Sequence, residues 1–313
     1  MNRVSSNFYA VNTAENKYKI SYNFYEPTDH PVLATILIIH GMQEHSGRYQ
    51  ELASYLTAQQ FAVLTYDQLG HGLTASQPDL LGYFQKEKAK EQLVDDAIAM
   101  SSFLREAYPK TPQFILGHSM GSFVTRCVLQ KIGGQFKGAI IVGTGQRQKG
   151  STAFHLLLAF LNTVAPKKRS KLINRIFDKR NNARFKNEPN QRHSNWLSVN
   201  KTNRISFLED PLCGGLFTNN GFHTLLDLSL QATDPIPTQL IPKTLPIAFI
   251  SGQDDPIGDF GAGVEKSAEQ LRNQGQADIT VKLYPGMRHE ILNEECKKEV
   301  FEFISSWLHS HLT

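Results

Sequence analysis

A chain of 313 residues suits either two average domains or one large α/β domain with an insertion, and a composition of 40% apolar and 20% charged residues rules out disorder as the default state. Pro (14) and Gly (22) are near ordinary usage and show no period, which excludes collagen-like and repeat architectures. The net charge of +4 is small, but Arg147 to Arg204 carries 14 Lys or Arg against only Asp178 and Glu188, a basic island on an otherwise acidic body. No helix-turn-helix, finger or RNA-binding pattern surrounds that charge, so nucleic acid is not an expected partner. An anionic lipid surface, an anionic substrate or a solvated basic face fits it better.

The first twenty residues, MNRVSSNFYAVNTAENKYKI, show no basic segment followed by an apolar run, so no secretory signal is expected and a cytoplasmic location is. Tyr18 to Tyr25 alternates loosely, as an antiparallel edge strand would. Continuous apolar runs follow at Thr35–Ile39, Phe61–Thr65, Gln113–Leu116 and Gly138–Val142, the pattern of strands covered on both faces. Between them, Tyr49, Leu52, Ala53 and Leu56, and then Leu93, Ala97, Met100 and Leu104, recur at helical spacing. Alternating strand and helix predicts a mostly parallel sheet flanked by helices.

From Gly145 to about Pro235 this pattern lapses into a polar, basic, Asn-rich stretch with an apolar helical opening. The longest apolar run, Ala153 to Ala165, is broken by His155, Asn162 and Thr163 and falls short of the ~18 residues that a membrane span needs. The pattern resumes at Ile247–Ile250, near Val264–Leu271, at Ile279–Leu283 and near Cys296–Leu308. The predicted organisation is therefore a core of residues 1–144 and 236–313 with an inserted cap of residues 145–235 over the carboxyl edge of the sheet, where ligands bind in such folds. Cys127, Cys213 and Cys296 are far apart and outside any CxxC spacing, so free thiols are expected.

Gly117-His118-Ser119-Met120-Gly121 follows a predicted strand and opens a predicted helix, the setting of a nucleophile elbow. A serine hydroxyl is a weak nucleophile at neutral pH and needs a base, which in turn needs an orienting acid. Both types occur after late strands, in the order this fold uses: Asp254 and Asp255 after IAFI, and His289 after ITVKL. The strand-then-GxxD spacing favours Asp255 over Asp254. The oxyanion donors are expected to be the amides of Met120, after the nucleophile, and Met42, in the His40-Gly41-Met42 loop. His40, Glu44 and His45 match no zinc-protease spacing, and His71 reads as support for a turn. Gly143-Thr144-Gly145 is not a dinucleotide fingerprint, so neither cofactor nor metal is expected.

The motifs HGMQEHSGRY, YDQLGHG, GHSMGS, SGQDDPIG and YPGMRHE, in this order over nearly the whole chain, resemble the monoacylglycerol lipase and lysophospholipase-like branch of the α/β-hydrolases, grouped with the serine aminopeptidase S33 family. The resemblance implies a serine ester hydrolase working through an acyl-enzyme on single-chain lipids, with no cofactor. The inserted segment, with NWLS and DPLCG, is similar to the cap of uncharacterised bacterial members rather than of animal monoglyceride lipases. An aminopeptidase is the enzymatic alternative, and a hydrolase-fold binding protein the non-enzymatic one. Phe154, Leu156, Leu157, Leu158, Phe160 and Leu161, followed by Lys167, Lys168, Arg169 and Lys171, suit either a cover over the site or contact with anionic membrane.

Overall fold

The computed structural model describes residues 2–12, 17–148, 150–189 and 193–312. Lys149 and Arg192 of the basic island lie outside the described residues.

The strands are β1 (Asn2–Asn12), β2 (Lys17–Pro27), β3 (Ala34–Ile39), β4 (Phe61–Tyr66), β5 (Gln113–His118), β6 (Gly138–Val142), β7 (Ile247–Gly252) and β8 (Ile279–Tyr284). They form one sheet in the order β1-β2-β4-β3-β5-β6-β7-β8, antiparallel at β1–β2 and β2–β4 and parallel from β4 to β8. This is the mostly parallel, helix-flanked sheet of the α/β-hydrolases.

Every residue of β3, β4, β5, β6 and β7 is buried, because helices cover both faces. Leu37, Ile39 and Leu64 turn to one side, where α2 (Ala89–Ala107) and α3 (Met120–Ile132) bring Leu93, Ala97, Met100, Val124 and Val128. Ile36, Ile38 and Val63 turn to the other, against Leu52 and Leu56 of α1 (Gln50–Ala58) and Val300, Ile304 and Leu308 of α10 (Lys297–Ser310). Emptying a central position such as Leu37, which is fully buried, costs about 2–5 kcal/mol.

Two features depart from the sequence expectation. The strand around Tyr18–Tyr25 is not at the edge, since β1 pairs outside it over its full length. In β1, Val4 and Phe8 are exposed and polar residues separate them, so it lacks the apolar run that marks the central strands. Between β6 and β7 lie α4 (Ser151–Val164), α5 (Lys171–Asn181), α6 (Lys201–Glu209), α7 (Asn219–Thr233) and the short α8 (Pro235–Thr238), with α9 (Ala262–Asn273) following β7. Of these, α7 packs on α3 as a core helix does: Leu228 is fully buried and its carbonyl accepts from the Cys127 thiol.

No helix among the described residues is long and apolar enough to cross a membrane. Cys127 and Cys213 are buried and Cys296 half-buried, all three as free thiols.

Candidate active site

Ser119 sits between the end of β5 and the start of α3 with φ 53° and ψ −118°, a left-handed conformation that a non-glycine residue adopts only under constraint. The flanking glycines permit it. A Cβ on Gly117 would lie 2.2 Å from the Gly121 carbonyl oxygen, and one on Gly121 would lie 2.2 Å from the Ile39 carbonyl oxygen. The turn thus holds the hydroxyl above the carboxyl ends of the strands. Met120 is the first residue of α3, so its amide belongs to the helix's opening turn and has no acceptor within the helix.

His289, in the loop after β8, places Nε2 2.8 Å from Ser119 Oγ and Nδ1 2.9 Å from Asp255 Oδ2. Asp255 is fully buried and is also held by the Ser251 hydroxyl on Oδ2 and the Ile257 amide on Oδ1. Those donors leave Oδ2 facing the imidazole. Asp254 is instead anchored through its amide to the Met287 carbonyl, and its side chain is half-buried. Three side chains from three loops, Ser119, Asp255 and His289, therefore meet at one rim of the sheet.

Gly41, Met42 and Gln43 line the same cavity. Their loop is fixed at both ends. The Gly41 amide donates to Glu44 Oε1 at 2.6 Å, and the Gln43 amide donates to His71 Nε2 at 3.2 Å. Burial pushes His71 down to about 3, so it stays a neutral acceptor. His71 thus supports this loop as well as its own turn.

A buried charge cluster behind the loop went unread in the sequence. Glu44 Oε2 accepts from Arg48 at 2.7 Å, and Arg48 forks onto both oxygens of Glu290 at 2.8 Å. His118 faces an acceptor with each ring nitrogen: Glu44 Oε1 at 3.1 Å and the His289 carbonyl at 3.2 Å. Burial alone would lower its basicity, but the Glu44 carboxylate reverses this and raises it, while Glu44 itself is held well below the usual range. The available signal was positional: every charged member lies inside the HGMQEHSGRY, GHSMGS or YPGMRHE motif.

His45, Asp210 and Cys213 bring metal-type donor atoms within 4.8 Å of one another. The Gly47 amide donates to His45 Nδ1, which leaves the proton on Nε2, and that N–H donates to Asp210 at 2.9 Å. A metal at Nε2 would have to reverse this arrangement, so the cluster reads as a hydrogen-bonded link between loop and insertion.

The cavity above Ser119 holds about 390 Å³, with walls that include Phe154, Leu158, Phe177, Phe207 and Leu226. Buried Leu158 and the partly exposed Phe154 line it from α4, whereas Leu156, Leu157, Phe160 and Val164 on the same helix are exposed and lie outside its walls. The apolar helix thus has two faces with different surroundings.

Residues 30–296 match the serine aminopeptidase S33 family. The chain belongs to that family. Within it, the chain is 28% identical to human monoglyceride lipase over 91% of its own length and 85% of the relative's, and 23% identical to a monoacylglycerol lipase of Mycolicibacterium smegmatis over 94% of each. Among solved structures it is similar to a thermostable carboxyl esterase from Bacillus coagulans, with TM-score 0.89 and 24% identity over 99% of both chains. It is also similar to a monoglyceride lipase from Saccharomyces cerevisiae, with TM-score 0.77 and 21% identity over 98% of this chain and 95% of that one. These likenesses establish the α/β-hydrolase fold and place the chain among hydrolases.

Proposed function

We propose that the chain is a serine carboxylic ester hydrolase whose substrates are single-chain lipid esters such as monoacylglycerols or lysophospholipids. The observation that carries this is the continuous relay from Ser119 Oγ through His289 to Asp255, opening into an apolar-walled cavity. Ser119 attacks the ester carbonyl and His289 Nε2 takes its proton. Asp255 holds the imidazole in the productive tautomer and steadies the imidazolium. The amides of Met42 and Met120 receive the oxyanion. His289 then returns the proton to the departing alcohol, and water, activated by the same imidazole, releases the acyl group. Neither cofactor nor metal enters these steps.

Within the inserted residues 145–235, the part before the core-packed α7 acts as the cap, and the inward face of α4 covers the acyl chain. Its outward face, beside Lys167, Lys168 and Lys171, makes peripheral contact with anionic lipid. The aminopeptidase reading needs a free carboxylate to hold a substrate ammonium. Glu44 and Glu290 border the cavity but are taken by Arg48, which favours the ester, and Asp178 on α5 is the third carboxylate of the wall that a substrate ammonium would have to reach. A panel of p-nitrophenyl esters from acetyl to palmitoyl, run beside lysophospholipids and aminoacyl amides, tests the proposal. Ester turnover that vanishes in Ser119→Ala supports it, and a preference for aminoacyl amides overturns it.

A further inference from the structure

Trp196 belongs to the NWLS segment of the insertion, yet it lies beside the base rather than over the substrate path alone. Its ring centroid is 4.9 Å from that of His289, with the planes 34° apart, and only 7% of the residue is exposed. The segment is tied to the loop that carries His289. The Glu290 amide donates to the Leu197 carbonyl at 2.7 Å, the Arg288 guanidinium to the Asn195 carbonyl at 2.6 Å, and the Ser198 hydroxyl to buried Glu294 at 2.7 Å. Trp196 also meets Phe177 edge to face, with ring centroids 5.8 Å apart, and its amide donates to Asn182. An indole fixed this firmly can act on the imidazole in every turnover.

We propose that Trp196 is a positioning residue for His289, its indole face steadying the imidazolium that forms when Ser119 gives up its proton. A cation within about 6 Å of an indole centroid is attracted by the ring's negative face. That attraction arises only once the imidazole is charged, so it lowers the barrier rather than merely tightening substrate binding. The other groups facing His289 are accounted for. Asp255 holds Nδ1. His118 lies on the side of the elbow, its ring centroid 4.9 Å away and its plane tilted by 41°, with Nδ1 facing Glu44. On the same loop, Glu290 is engaged by Arg48 and Arg288 by Glu188. A consequence is that any movement of the cap leaves residues 195–200 in place, because displacing them would dismantle the loop of the base.

The inference rests on His289 being the general base, which loss of ester hydrolysis in His289→Gln checks separately. The test compares Trp196→Leu and Trp196→Phe with p-nitrophenyl butyrate across pH. In Trp196→Leu, kcat falls roughly 2- to 30-fold with KM nearly unchanged. The acidic limb of the kcat/KM profile moves to lower pH, since the imidazolium has lost support, whereas Trp196→Phe retains most of both. An unmoved limb in Trp196→Leu, or equal damage in Trp196→Phe, overturns the proposal. A second measurement does not require the Leu variant to fold. In Trp307→Phe, Trp196 is the remaining indole, and its emission is quenched by contact with imidazolium along the same acidic limb. The quench disappears when His289→Gln is added. Emission that stays flat across the limb contradicts the proposal.

Discussion

Gly41 donates its amide to Glu44 Oε1 at 2.6 Å, so the His40–Gly41 peptide, one unit before the Met42 amide, takes its orientation from a buried carboxylate. The same oxygen accepts from Tyr49 at 2.8 Å and from His118, which places one side chain between the oxyanion loop and the elbow. Glu44→Gln keeps the shape but loses the charge. It lowers stability by about 1–3 kcal/mol in urea unfolding. It also lowers kcat toward the ~10²-fold loss of an absent oxyanion donor, with KM little changed. Unchanged kcat would separate Glu44 from the oxyanion loop.

Asp255→Asn leaves the fold intact, because the fully buried site accepts an isosteric amide, but offers His289 Nδ1 a group that can hold the wrong tautomer. Turnover of p-nitrophenyl esters drops by about 10⁴-fold. Asp254→Asn, by contrast, changes kcat by less than about 3-fold, since that side chain is outside the relay.

The outward face of α4 gives a prediction with two substrates. Replacing Leu156 and Phe160, 68% and 64% exposed, with Ser weakens cosedimentation with phosphatidylserine vesicles and slows hydrolysis of vesicle-borne monoacylglycerol. Turnover of soluble p-nitrophenyl butyrate stays the same. Equal vesicle binding by both proteins would leave that face as ordinary surface.

Asp96 on α2 pairs with the Tyr18 hydroxyl, and burial pushes its carboxyl up to about 6. The folded state therefore holds a proton that the unfolded chain releases near 4, and the associated stability is present below pH 4 and lost as pH rises through 6. Asp96→Asn removes this loss. At pH 8 the variant is more stable by about 1–3 kcal/mol, and near pH 4 the two proteins converge. A constant difference between pH 4 and pH 8 in denaturant unfolding would contradict the assignment.

The central strands were legible because each is a continuous apolar run, and GxSxG was legible because a strand and a helix flank it. β1 was not, since one face of an edge strand is solvated and Val4 and Phe8 stand apart among polar residues. Ser119, Asp255 and His289 stood out as residue types at the expected loops, although only coordinates bring them within bonding distance. Glu44, Arg48 and Glu290 did not, because an ion pair between positions 48 and 290 leaves no periodicity along the chain. Trp196 read as a scattered cap aromatic, since its partner lies 93 residues away across the sheet edge.

The nucleophilicity of Ser119 is tested most directly by a fluorophosphonate probe followed by mass spectrometry of the labelled peptide. One covalent adduct, on the peptide containing Gly117 to Gly121, is expected in the wild type and none in Ser119→Ala. A folded wild type that takes no label, or a Ser119→Ala variant labelled equally well, would contradict it.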